Sequence, residues 1–293
     1  MRFDHLKKSI DKVQSKELFF ITGCMKSGTT WLQLLCNSHP EIRCFGEAHI
    51  FPMLKEKISC ALVDYNLNIN QKNIDIFKGI ETIDLLDEKD IKDIITYITL
   101  ALYAKNIKQS DNIKLIGEKT PDYLNYLDEI KDLFPGSKYI IINRDGRDTA
   151  LSAWHHSLRI SKTWLLGEYN NFEEFSIKFA SHWNKSIRTA FDFESNNKDH
   201  CLIVQYESLL ENKFQTVEQI FSFLNVDKNK KLIQIAIKDT NFQTLKAETG
   251  GQDSHFRKGI SGDWRNAFDK ELNNKFTSIA NEAFNLCQIN IDY

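Results

Sequence analysis

The sequence predicts an α/β fold, a central parallel sheet flanked by helices, on three observations. Short apolar runs recur at Leu18–Thr22, Lys114–Gly117, Lys138–Asn143 and Cys201–Gln205, and helical patterns follow them. The run Lys138–Asn143 is β-branched and continuous, as inner parallel strands tend to be. Finally, Ser15–Leu32 reads as a strand, a tight loop and a helix start, with one lysine inside the loop. In open α/β sheets ligands bind beyond the carboxyl ends of the strands. Lys26, Glu118, Arg144 and Tyr206 all fall there.

The first loop is built for an anion. A loop closing onto a helix N-terminus aims backbone N–H groups at one spot, where the helix dipole favours negative charge. Lys26 adds a full cation, and Ser27, Thr29 and Thr30 add hydroxyl donors. The P-loop pattern G-x-x-x-x-G-K-[ST] is met by Gly23, Gly28 and Thr30, but Thr29 stands where the lysine belongs. The lysine has moved to Lys26.

Further along, Gly28–Asn37 is amphipathic, with Trp31, Leu32, Leu34 and Leu35 on its inner side. Residues 55–80 are rich in Asn, Lys and Ile and poorly periodic, which suits a peripheral segment. Residues 86–107 read as a core-facing helix through Ile91, Ile94, Ile95, Ile98 and Leu102. Helical patterns recur at Thr149–Leu158 and Ser208–Leu224. The segment 171–194 opens on a capping-box signature, Asn171 with Glu174, and its stripe Phe172, Phe175, Phe179 and Trp183 reads as core packing. Ala247–Asn266 is polar and glycine-containing, the character of a long functional loop. Without repeats, low-complexity tracts or a linker, the 293 residues read as one domain.

The formal net charge of −2 gives no global pull toward nucleic acid or an anionic membrane, so an anion site must be a local concentration of cations. Six cysteines without a paired spacing read as reduced thiols. The polar stretch Met1–Lys16 is unlike a signal peptide, and no apolar run approaches the ~20 residues of a membrane span. A soluble cytoplasmic protein is expected. No carboxylate cluster is spaced to demand a metal. Oligomeric state is not readable.

Two further clusters carry cations. Asn143–Ser152 follows a buried strand directly, so Arg144 stands at a strand end and Ser152 about two helical turns later. That placement suits capture of a phosphate between a guanidinium and a hydroxyl. Arg147 reads equally well as a structural partner of Asp145 or Asp148. Arg257, Lys258 and Gly259 sit in a polar loop that ends Gly262-Asp263-Trp264, where side chains and backbone N–H groups can wrap a phosphate.

Together these elements resemble those of sulfotransferases that use 3′-phosphoadenosine 5′-phosphosulfate (PAPS). Lys26-Ser27-Gly28-Thr29-Thr30-Trp31 is similar to the family's 5′-phosphosulfate loop, with Trp31 assigned to helix packing. Arg144 and Ser152 match its 3′-phosphate element, and Arg257-Lys258-Gly259 its C-terminal loop. Tyr206, Thr240 and Phe242 correspond to residues lining the adenine. The resemblance implies a P-loop-like three-layer architecture over the single domain 1–293, with a core from 16 to 290, a helical acceptor-side insertion at 50–112 and a 3′-phosphate loop at 247–266. It implies transfer of a sulfuryl group from PAPS to an acceptor hydroxyl or amine by in-line displacement. Adenosine 3′,5′-bisphosphate (PAP) is released, and no metal is required.

Such a transfer builds charge on the sulfuryl oxygens and the leaving phosphate, so catalysis is positioning plus electrostatic stabilisation. Lys26 would neutralise the leaving oxygen. For the general base, Glu118-Lys119-Thr120-Pro121 resembles the glycosaminoglycan type, with Glu118 as base and Lys119 as clamp on the sulfuryl oxygens. Glu47, in the stretch His39–Glu47, resembles the base of the tyrosylprotein type and competes with it. His155 and His156 follow Ser152 and could reach the acceptor. The acceptor itself, a small molecule, sugar or lipid, has no readable signature, although residues 50–112 and 159–172 are expected to shape its pocket. A P-loop NTPase or small-molecule kinase is the alternative; it predicts lysine at position 29, where Thr29 stands.

Overall fold

The computed structural model describes residues 2–107, 113–248 and 258–293. Five strands, β1 (Glu17–Thr22), β2 (Ile42–Phe45), β3 (Leu115–Lys119), β4 (Lys138–Asn143) and β5 (Cys201–Gln205), form one parallel sheet in the order β2-β3-β1-β4-β5. The register sets Ile21 beside Lys119 and Thr22 beside Ile141, while Phe45 lies beside Glu118 and Asn143 beside Gln205.

Side-chain alternation along the strands divides the core into two layers. Phe19, Ile21, Ile140 and Ile142 pack with Leu32, Leu35 and Cys36 of helix Thr29–Asn37, and with Val217, Ile220, Ile233 and Ala236 of helices Lys213–Phe223 and Lys230–Asp239. Phe20, Tyr139 and Ile141 face the other way. There they meet Ile10 and Val13 of helix Arg2–Gln14, Leu100 and Tyr103 of helix Glu88–Lys105, and Ala190 and Phe193 of helix Phe172–Asn196. A third cluster joins Phe175, Phe179 and Trp183 to Phe276 and Phe284 of the last two helices. The aromatic stripe is core, as expected.

Several elements differ from the sequence reading. Strand β2 was not anticipated: it has four residues, and only Ile42 and Cys44 are buried, so it lacks a continuous apolar run. β3 runs two residues further, to Lys119. The pattern at 208–224 splits at Asn212 into Tyr206–Glu211 and Lys213–Phe223. Within 55–80 lies a helix, Glu56–Asp75, whose one buried residue is Asn73. Asn171 accepts from Glu174 N at 2.9 Å, but the Glu174 carboxylate takes Asn170 N, so the capping box is half formed. Of the 247–266 loop, residues 249–257 lie outside the described residues, Ala247 belongs to the last turn of helix Phe242–Glu248, and Asp263–Asn266 forms a short 3₁₀ turn. No described helix is long and apolar enough to cross a membrane.

Gly117 on β3 is required by packing. A Cβ there would lie 2.3 Å from the fully buried Phe19 ring. Gly117→Ala should therefore cost about 1–3 kcal/mol of stability, read as a lowered urea midpoint at unchanged slope; an unchanged midpoint would show that Phe19 can give way.

Candidate functional site

The first loop is fixed from both sides. Thr22 Oγ1 donates to the Pro121 carbonyl at 2.7 Å, tying the end of β1 to the turn after β3. Gly23 has φ +151, and a Cβ on it would lie 2.3 Å from the Ile142 carbonyl oxygen. The Ser27 amide and hydroxyl both return to the Cys24 carbonyl, at 3.1 and 2.6 Å. Ser27 thus closes the loop rather than offering its hydroxyl to a ligand, a correction to its expected role. Gly28, at φ +107, starts the helix without a side-chain cap. First-turn N–H groups lack intrahelical partners, so these can serve an external anion.

Beyond the strand ends lies a cavity of about 650 Å³. Lys26, Gly28, Thr29, Thr30 and Trp31 line it from the first loop and helix, Glu47 from the segment after β2, and Lys119 from the end of β3. Arg144, Ser152 and His156 enter from the β4 side, Tyr206 from the end of β5, and Phe242, Lys258 and Gly259 from the C-terminal elements. All three sequence clusters therefore converge. Arg257 lies outside the described residues. Residues 50–107 and 159–172, expected to shape an acceptor pocket, contribute nothing to this lining.

Burial and neighbouring charge act on the cations of the cavity. Burial pushes Lys26 down to about 8; Arg159, Lys119 and Arg144 push the same way, and Glu47 opposes them. Arg144 lies 4.4 Å over the Tyr206 ring and donates to the Ile260 carbonyl at 3.0 Å. Its Nε is buried without a hydrogen-bond partner, a vacancy that an anion on this wall would fill. Lys258 pairs with Asp263 at 2.7 Å, and Gly259 packs its backbone against the Phe242 ring, leaving no room for a Cβ. Among the described residues no group of three or more His, Cys, Asp or Glu side chains is placed to hold a metal ion.

The two candidate bases are placed very differently. Glu118 is 0 % exposed and does not line the cavity. Its carboxylate accepts from Tyr103 Oη (2.5 Å), Tyr123 Oη (2.7 Å), Thr120 Oγ1 (3.0 Å) and Ala48 N (3.1 Å). Burial raises its pKa despite these donors. The structure thus separates Glu118 from the cavity that Lys119 enters, because neighbours on a strand point to opposite faces. Glu47 lines the cavity with its side chain 41 % exposed, and Lys119 Nζ reaches its Oε1 at 2.5 Å and Thr30 Oγ1 at 3.2 Å. Burial works against ionisation of Glu47, but the Lys119 and His49 contacts outweigh it and hold the carboxyl below its ordinary range.

Other residues are reassigned by their contacts. The Thr240 hydroxyl returns to the Ala236 carbonyl at 2.7 Å and does not line the cavity; its own carbonyl accepts from Trp31 Nε1 at 3.0 Å. Trp31, expected only to pack the helix, reaches the cavity wall edge-on to Tyr206. Arg147 is structural: it grips Asp145 at 2.8 Å, Asn273 at 2.9 Å and the Asn290 carbonyl at 2.7 Å, stacked 3.7 Å over Trp264. Asp122, Lys213 and Asn241 line the cavity without having been singled out. His155 is exposed, whereas His156 lines the cavity, four residues after Ser152 and so on the same helix face.

The profile of the sulfotransferase family matches residues 19–230. The chain belongs to the sulfotransferase family. A putative protein-tyrosine sulfotransferase of Caenorhabditis briggsae is 27% identical over 219 residues, covering 74% of this chain and 69% of that protein. Protein-tyrosine sulfotransferase 1 of Danio rerio is 25% identical over 219 residues, covering 74% of this chain and 55% of the relative. Human sulfotransferase 6B1 is 31% identical over 163 residues, half of this chain and 53% of its own. The chain thus spans little more than half the length of the last two. In fold it is similar to mouse sulfotransferase SULT7A1, solved in complex with PAP, with a TM-score of 0.55 and 20% identity over 92% of this chain and 84% of that one. The kinase alternative falls with the family assignment.

Tyr123 links the buried carboxylate to the Glu47 segment, donating to Glu118 and accepting from Ile50 N at 3.0 Å. Tyr123→Phe should cost about 2–3 kcal/mol, since it removes a donor from a buried carboxylate and orphans an amide. Chemical denaturation checks this; wild-type stability would mean that water replaces the hydroxyl.

Proposed function

We propose that the protein transfers a sulfuryl group from PAPS to an acceptor hydroxyl and releases PAP. The observation that carries this reading is the meeting of the 26–30 loop with Arg144, Ser152 and Lys258–Gly259 in one cavity. A nucleoside triphosphate needs the loop alone, whereas a nucleotide with phosphates on both 5′ and 3′ oxygens uses both groups. The donor supplies an activated sulfuryl group on a phosphate leaving group.

The chain's residues then divide the work. Thr29, Thr30 and the first-turn N–H groups hold the 5′-phosphate, and Lys26 stabilises charge on the departing oxygen. Arg144, Ser152, Lys258 and the Gly259 backbone hold the 3′-phosphate, with Arg144 Nε finding the acceptor it lacks. Tyr206, Phe242 and Trp31 offer aromatic surface to the adenine. Lys119 clamps the sulfuryl oxygens. Glu47 takes the acceptor's proton, because it reaches the cavity and Glu118 does not. The acceptor is a hydroxyl-bearing small molecule, sugar or lipid, and the names of the relatives add protein tyrosine; a screen with labelled donor across these classes identifies it. Cytoplasmic residence is supported by six unpaired cysteines, five of them buried.

Thermal shift tests the nucleotide assignment: PAP should stabilise the protein and ATP with magnesium should not, and the reverse would contradict it. Because the bound phosphate favours protonated Lys26, PAP affinity should fall as pH rises through about 8. Lys26→Met should flatten that decline.

Lys26→Ala should lower turnover by roughly 10²–10³, the scale of one positioned electrostatic group. Glu47→Gln should abolish transfer and spare PAP binding. Normal turnover in Glu47→Gln, with loss in a folded Glu118→Gln protein, would return the base to Glu118.

A further inference from the structure

Glu47 is gripped on both oxygens. Lys119 Nζ holds Oε1 at 2.5 Å, and His49 Nε2 lies 3.3 Å from Oε2. On its other side the imidazole Nδ1 faces Asp122 Oδ2 at 3.9 Å, a charge contact too long for a hydrogen bond. Placed between two carboxylates, His49 serves as a donor to Glu47.

The backbone of His49 is forced into place. Its φ of 48 and ψ of 35 are left-handed, a conformation uncommon for a residue other than glycine. The amides on either side enforce it: Ala48 N donates to Glu118 Oε1, and Ile50 N donates to Tyr123 Oη, which itself donates to Glu118. A buried hydrogen-bonded cluster thus pins residues 48 and 50 and turns the histidine back toward Glu47. Strain maintained in this way is characteristic of functional segments.

We propose that His49 is the positioning residue for the base, holding Glu47 in place when Lys119 leaves it for the sulfuryl oxygens of the donor. This rests on the roles of Glu47 and Lys119 given above. One ammonium cannot hold Glu47 Oε1 at full strength and neutralise the developing sulfuryl charge as well. While Lys119 is paired with Glu47, the carboxylate is a weak base and Oε1 is occupied. When Lys119 turns to the donor, Oε1 is freed, and Glu47 would be an unrestrained rotor without His49. The acceptor oxygen then bonds to sulfur as the bond from sulfur to the phosphate oxygen breaks, and the acceptor's proton passes to Oε1. Donor binding therefore unmasks the base.

The test compares wild type, His49→Gly and His49→Gln, each as the 293-residue chain, with labelled donor and phenol as acceptor, since phenol keeps its proton at neutral pH. Glycine adopts the left-handed backbone without a steric cost, so His49→Gly removes the imidazole and leaves the turn intact. Its kcat should fall about 10²-fold, the effect of a misplaced catalytic group, with donor KM and the thermal shift by PAP unchanged. His49→Gln, whose amide can donate to Glu47, should recover most of the loss. Wild-type kcat in His49→Gly, or equal loss in both variants, overturns the assignment. Normal turnover in Glu47→Gln overturns the base reading together with this inference, whereas an inactive Glu47→Gln beside a normal His49→Gly overturns this inference alone.

Discussion

Parallel pairing of β3, β1 and β4 brings their carboxyl ends to one edge of the sheet, and the groups of the cavity hang from that edge. Ile21 lies beside Lys119 and Thr22 beside Ile141, so the loops leaving these strands start side by side. A slip of one residue in β3 would exchange Glu118 with Lys119 and place a carboxylate among the cations that line the cavity. Gly117, packed on Phe19, helps to fix that register. The same alternation explains why two adjacent charged residues have unrelated surroundings: Glu118 lies among tyrosines, Lys119 beside Thr30 and Glu47.

Gathering cations on a chain of net charge −2 requires anchors. Asp148, buried, accepts from Gly262 N at 2.7 Å and Trp264 N at 2.9 Å, and so fastens the C-terminal segment beside Arg144. Arg147 and Asp145 form a second buried network with Asn273 and the Asn290 carbonyl. Networks of this kind add little net stability, but breaking one is costly, so they fix an arrangement more than they strengthen the fold. The lowered pKa of Lys26 is the electrostatic counterpart: burial and neighbouring cations disfavour its charge, and a bound anion reverses the balance.

Much of this was legible in the sequence. Continuous apolar runs revealed β1, β3, β4 and β5, and the displaced lysine with two further basic clusters pointed to a nucleotide with two phosphate sites. β2 escaped because a half-exposed edge strand of four residues has no run to read. Helix Glu56–Asp75 falls within the helical insertion expected at 50–112, but its bounds were not legible because its apolar residues form no buried stripe. Side-chain direction was the larger gap. Ser27 and Thr240 have suitable chemistry, but both hydroxyls are spent on nearby carbonyls. The burial of Glu118 depends on Tyr103, fifteen residues away on a different element, and only the fold brings the two together. His49 carried no spacing signal, since its significance lies in a backbone turn imposed from β3 and the turn that follows it.

On the proposed reading, one wall of the cavity holds a 3′-phosphate, with Arg144 as its main contact. Isothermal titration of wild type and Arg144→Lys with PAP and with adenosine 5′-phosphate tests it most directly. A charge-assisted hydrogen bond contributes about 1.5–3 kcal/mol, so the wild type should prefer the bisphosphate by roughly 10- to 100-fold, and Arg144→Lys should lose most of that preference. Equal affinity of the wild type for the two nucleotides would contradict the account.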